Sequence, residues 1–223
     1  MPSPTPWQPV LASAALRAGG PPVATRLLGR DLALWRSADG AVQAWDDRCP
    51  HRSVRLSMGT VHGDRLVCAY HGWAWQAGSG QCVEVPALPH QPVPGHMRVG
   101  VRPVQEQGGL VWVAADDVAG PLTMASHASD GPWQWLRSVG VRVPAARLGG
   151  WLADQGFAAE PEGAWQGVLD GLRLRLHLQP CDEHLSLVHA GCADAATSDQ
   201  ALAALNGLHA LRDRAEAAEG SPA

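Results

Sequence analysis

The sequence predicts an α+β fold that is mostly β: an antiparallel β domain over residues 1–117, a linker over 118–132, and a smaller unit over 133–223 made of a β-hairpin and a C-terminal helix. Three observations predict it. Short apolar runs between residues 22 and 47, and again between 65 and 85, are punctuated by Gly-containing turns, which is the pattern of hairpin-linked strands. Leu172, Leu174, Leu176 and Leu178 alternate with Arg173, Arg175, His177 and Gln179, a period of two that marks a half-buried strand. Leu202, Leu205, Leu208 and Leu211 fall on one face of a helix, with Thr197 and Gln200 placed as its capping box.

In chain order, Val23–Leu28, Asp31–Arg36 and Val42–Trp45 read as a meander turning at Gly29-Arg30 and at Ala38-Asp39-Gly40. Asp-Gly between apolar runs favours a hairpin because Gly accepts the positive φ of a tight turn. Arg65-Leu66-Val67 and Trp73-Ala74-Trp75 form the next strands, and Ala77-Gly78-Ser79-Gly80 turns into Gln81–Val85. Pro86, Pro89, Pro92 and Pro94 then interrupt regular structure, and Gly109–Val113 closes the domain as a buried strand,. Beyond it, Trp133, Trp135, Trp151 and Trp165 are core aromatics of the second unit,. Pro180–His184 turns the leucine strand into Leu185–Ala190, and the helix runs to about Glu219.

Composition bounds the function. At 223 residues and 46% hydrophobic the chain buries a proper core, and its formal net charge is -4,. The basic residues are all Arg and form no nucleic-acid footprint,. No apolar run approaches the roughly 20 residues that span a bilayer, and Met1–Trp7 lacks a signal-type core, so a soluble cytoplasmic protein is expected,. In a reducing compartment Cys82, Cys181 and Cys192 are expected as buried thiols rather than disulfides,.

The remaining cysteines carry the chemistry. Cys49-Pro50-His51 is followed after 16 residues by Cys68-Ala69-Tyr70-His71. Two thiolates and two imidazoles could bind zinc, but zinc modules usually group the histidines in one pair. Here each loop gives one Cys and one His, which suits a [2Fe-2S] cluster with one iron held by both thiolates and the other by both imidazoles. With Asp47-Arg48 before the first loop, Gly63-Asp64 before the second, and Tyr70 and Gly72-Trp73 around His71, the stretch from about Trp7 to Asp116 resembles the Rieske domain of aromatic-ring-hydroxylating oxygenases.

The resemblance implies an antiparallel Rieske β-sandwich with Cys49, His51, Cys68 and His71 holding one [2Fe-2S] cluster. It also implies that Asp47, Arg48, Tyr70 and Trp73 orient the loops or shield the cluster. Respiratory Rieske proteins carry two further cysteines and a Ser two residues after the second His. Val54, Tyr70 and Trp73 stand in those places, which predicts a low-potential cluster, since hydrogen bonds to the sulfurs raise the potential. His62, His90 and His96 lack a thiolate partner and are not expected as ligands.

The hairpin and final helix resemble the end of the helix-grip catalytic domain of the same oxygenases, here shortened. That domain holds a mononuclear Fe(II) between two histidines and a carboxylate, spaced Asp, two residues, His, four residues, His. His184 and His189 match the second spacing, but Cys181 replaces the Asp, and Asp182 is one place too close. In a strand, residues five apart face opposite ways, so a second iron is not expected there.

No His lies between His127 and His177, where the family carries its iron-binding helix. The first reading is therefore an electron-transfer component, with a reductase or ferredoxin as donor and an oxygenase subunit as acceptor, and with no nucleic-acid or membrane partner. The alternatives are a self-contained oxygenase acting on a small aromatic or related substrate, and a non-catalytic redox-responsive or ligand-binding protein.

Overall fold

A computed structural model describes residues 6–89, 91–93, 95–116, 122, 133–160, 163–193 and 196–220. The expected linker 118–132 lies outside the described residues except for Leu122, as do His90 and Pro94.

The predicted meander forms as β2 (Val23–Leu27), β3 (Arg30–Arg36) and β4 (Val42–Asp46). With β9 (Val101–Arg102) it makes a four-stranded sheet in the order β2-β3-β4-β9. Its first turn lies one residue earlier than expected. Leu28 and Gly29 both take positive φ, 50° and 79°, the backbone of a two-residue hairpin whose twist matches the strands. A leucine is disfavoured at that φ. The turn persists because Leu28 N–H donates to the Pro180 carbonyl (2.9 Å) and Gly29 N–H to that of Cys181 (2.6 Å).

A second four-stranded sheet runs β5 (Thr60–His62), β6 (Arg65–Val67), β7 (Ala74–Gln76) and β8 (Cys82–Glu84) in sequence order. A third sheet puts β11 (Leu110–Ala114) between β10 (Val104–Gln107) and β1 (Trp7–Ala12). Sequence periodicity misses β1, because Pro9 falls inside it and a bulge lies between Pro9 and Leu11, as a proline in a strand requires. Trp35, Trp45, Trp75, Leu56 and Leu66 are fully buried between the sheets, and Trp35 meets Trp45 edge to face at 4.8 Å.

The C-terminal unit is larger than the expected hairpin and helix. Strands β12 (Trp133–Val141), β13 (Ala158–Ala159), β14 (Ala164–Leu169), β15 (Leu172–Pro180) and β16 (Ser186–Ala193) form one antiparallel sheet in the order β12-β16-β15-β14-β13. Two helices accompany the sheet, α1 (Ala145–Asp154) and α2 (Ser198–Glu219). The Thr197–Gln200 capping box starts α2 as expected. The buried face of α2 is turned from the predicted leucine stripe: Ala204, Leu208, Leu211 and Ala215 are buried, whereas Leu202 is 58% exposed. Ala204, Leu208, Leu211 and Ala215 join one core cluster with Leu148, Leu174 and Leu176, and α2 packs chiefly against β12.

The alternation in β15 also needs correcting. Arg175, His177 and Gln179 occupy the face read as polar, yet all three are buried. The N-terminal sheets cover that face. His177 lies between Trp112 and Trp135, each ring centre 5.4 Å away, and Gln179 Nε2 donates to Thr25 Oγ1 (2.9 Å) and the Arg26 carbonyl (2.6 Å). Among the described residues no helix is long and apolar enough to cross a membrane.

Candidate metal centre

Strand β4 ends at Asp46 and releases the chain into the Cys49 loop, while β6 ends at Val67 and releases it into the Cys68 loop. The two loops close alike. Cys49 N–H donates to the Val54 carbonyl (2.9 Å) and Ser53 N–H returns to that of Cys49 (2.8 Å). Cys68 N–H donates to Trp73 (2.9 Å) and Gly72 N–H returns to Cys68 (3.0 Å). The returning donor has positive φ in both, 59° at Ser53 and 68° at Gly72. Gly72 needs its missing side chain as well, because a Cβ there would lie 3.2 Å from Pro86 Cγ.

These loops bring the two sequence-predicted thiols together and the two imidazoles together, and order them by depth. Cys49 and Cys68 are buried, 1% and 3% exposed, His51 is half-buried and His71 is exposed. The two imidazole centres are 4.8 Å apart. Trp73 stacks on His51 at 4.3 Å and 10°, and Tyr70 lies over His71 at 3.8 Å. Burial pushes the Cys49 thiol up to about 11, and its neighbour Cys68 pushes the same way. The backbone N–H groups of His51 and Arg52 oppose this, since they favour the thiolate,. Burial, with His71 and Arg52 nearby, lowers His51 from its ordinary value and so favours the neutral imidazole that ligates metals.

Two buried thiols, with Cys49 kept from ionising by burial, beside two imidazoles of which His51 is held neutral, form a donor set that a cationic centre completes. Among the described residues no three His, Cys, Asp or Glu side chains are grouped closely enough to hold a single ion. A two-iron centre needs only two thiols at one end and two imidazoles at the other, so the residues fit a [2Fe-2S] group.

Of the flanking residues, Asp47 does what was expected. It is buried, and its two carboxylate oxygens accept Ser57 N–H (2.7 Å) and Ser57 Oγ–H (2.6 Å), tying the first loop to the turn at Leu56–Met58. Ser57 itself was not singled out from sequence, because a serine ten residues from its partner carries no local signal. Arg48 is exposed and faces an open groove beside Cys49 rather than bracing the loop. His184 stands exposed in the β15–β16 turn, where Asp182 Oδ1 accepts His184 N–H and Leu185 N–H, each at 2.9 Å. His189 is buried in the sheet, its Nδ1 2.7 Å from Ser138 Oγ and its Nε2 2.9 Å from Gln179 Oε1. The fold therefore does not bring these two histidines together.

Residues 6–100 match the family model for the Rieske [2Fe-2S] domain. The chain is 42% identical over 103 residues to oxidoreductase NdmD of Pseudomonas putida, a match covering 46% of this chain and 18% of that protein. It is 46% identical over 108 residues to the 3-chlorobenzoate-3,4-dioxygenase oxygenase subunit of Comamonas testosteroni, covering 48% of this chain and 25% of that subunit. The chain thus matches a quarter or less of the length of these two relatives. The solved structure of Pseudomonas putida NdmA with caffeine shares its fold, with a TM-score of 0.73 at 22% identity over 97% of this chain and 83% of that one. That likeness reaches through the C-terminal unit.

Proposed function

From the premise that residues 6–100 are a Rieske [2Fe-2S] domain homologous to those of Rieske oxygenase alpha subunits, we propose that this chain passes single electrons from a reductase or ferredoxin to an oxygenase-type acceptor. Cys49 and Cys68 would hold one iron, and His51 and His71 the other. When bound, this group supplies one-electron transfer.

The observation that carries the reading is the depth order of the four side chains, with thiols buried and imidazoles toward solvent. The imidazole end of the site, with His71 exposed and His51 half-buried, lies at the protein surface within reach of a partner. Trp73 fixes the His51 ring by stacking and Tyr70 covers His71, so both rings are oriented and partly shielded from water. Asp47 holds the first loop in register through Ser57. The domain limits 1–117 and 133–223 belong to the same proposal, with the C-terminal unit a shortened helix-grip domain.

Metal analysis of the purified protein, with electron paramagnetic resonance after reduction, tests the reading. Two irons per chain and a Rieske-type signal are expected, with a midpoint in the lower part of the roughly -150 to +300 mV Rieske range. Three irons, with oxygen uptake dependent on a small aromatic substrate, would replace it by a self-contained oxygenase. That second reading is favoured by the fold shared with NdmA across the C-terminal unit.

A further inference from the structure

A groove of about 770 Å³ opens beside the first ligand loop and reaches Cys49 and Pro50. Four arginines line it, Arg30, Arg48, Arg55 and Arg102, with three aspartates, Asp31, Asp46 and Asp47. The carboxylates are already engaged. Asp47 is spent on Ser57, Asp46 pairs with Arg102 at 3.2 Å, and Asp31 is shared between Arg26 (2.8 Å) and Arg55 (3.2 Å). Arg30 and Arg48 are exposed, and neither has a carboxylate within ion-pair distance among the described residues. Arg52, next to His51, is exposed as well. A chain of net charge -4 therefore carries unmatched positive charge on the flank of its redox centre.

An open charged trench gives little apolar area to a small neutral substrate. It suits carboxylates presented by another protein, because a positive rim raises the association rate of a negative partner without needing a large buried area. We infer that this groove is the docking site of an acidic electron-transfer protein, whose carboxylates meet Arg30 and Arg48 and bring its redox group to the edge of the Cys49 loop. The inference rests on the electron-transfer reading above and adds the chemistry of the partner. Arg30 starts β3, and Arg48 lies two residues past the end of β4 in the ligand loop that Asp47 ties to Ser57.

The test is stopped-flow reduction of the iron-loaded protein by a reduced acidic plant-type ferredoxin, with a photoreduced neutral flavin as control. The ferredoxin rate should fall steeply between 50 and 300 mM salt and drop about tenfold in Arg30→Glu and in Arg48→Glu. Arg30→Lys should keep most of the rate, and the flavin rate and resonance signal should not change in any variant. The signal also reports that each variant is folded and loaded. A ferredoxin rate indifferent to salt and to both charge reversals would overturn the inference. So would inhibition by inorganic phosphate alone with no effect of charge reversal, which would mark a small-anion site. Failure of both reductants to reduce the centre would instead overturn the electron-transfer reading, and the inference with it.

Discussion

Asp47 is the residue on which the first ligand loop depends most directly. It is buried with both carboxylate oxygens bonded to Ser57, so Asp47→Ala removes two acceptors and leaves a partly buried N–H unpaired. That should cost about 1–3 kcal/mol, with iron content per chain falling in parallel and thermal unfolding measured on the same samples.

His189 shows a second residue-scale effect. Burial pushes it down to about 4 from an ordinary 6.5. Its Nε2 must carry the hydrogen, since Gln179 Oε1 only accepts, and Nδ1 then accepts from Ser138. As pH falls below 6.5 the unfolded chain takes up this proton first. Stability is therefore complete above about 6.5 and is lost progressively toward pH 4, by about 3 kcal/mol in all. Urea midpoints compared at pH 7 and pH 4.5 should show this slope, and His189→Gln should flatten it.

At the scale of elements, the ligand loops take their geometry from the strands behind them. Gly59 sits where the Leu56–Met58 turn enters β5, and a Cβ there would lie 2.4 Å from the Val67 carbonyl oxygen and 3.0 Å from that of Leu56. Val67 is the residue before Cys68, so Gly59→Ala must push the second loop away from the first. The expected cost is about 1–3 kcal/mol, and a broadened resonance signal should accompany it. The sequence exposes much of this level. Cys49, His51, Cys68 and His71 were legible because ligand chemistry restricts both residue type and spacing, and the meander was legible because its turns need Gly.

Strand β1 was not legible, since Pro9 reads as a breaker until its bulge and its partner β11 are seen. Strand β12 and helix α1 were hidden for another reason. Trp133–Val141 alternates too weakly to announce a strand, and Gly149 and Gly150 weaken a helix signal. Gly149 is nevertheless required, because a Cβ would lie 2.9 Å from Trp165.

At the scale of the molecule, the N-terminal sheets and the C-terminal unit meet through polar groups that the sequence assigns to solvent. Alternation in β15 shows that its two faces differ. It does not show that the second face is covered. His177 between Trp112 and Trp135, and Gln179 bonded to Thr25 and Arg26, supply that cover. Burial at this seam is also what holds His189 neutral, against the opposing pull of the Pro9 carbonyl in β1.

The turn at Leu28-Gly29 meets the C-terminal unit through N–H groups on one side and the carbonyls of Pro180 and Cys181 on the other. Neither partner uses a side chain, so residue identity enters the link only indirectly, at 28 and 29 through the positive φ that glycine accepts best,. Only a residue without an N–H at 28 or 29 abolishes it, and proline at 28 would also be denied the positive φ on which the turn depends,. Part of the join between the N-terminal sheets and the rest of the chain is thus written in the backbone, beside the side-chain bonds of Gln179 to Thr25 and Arg26.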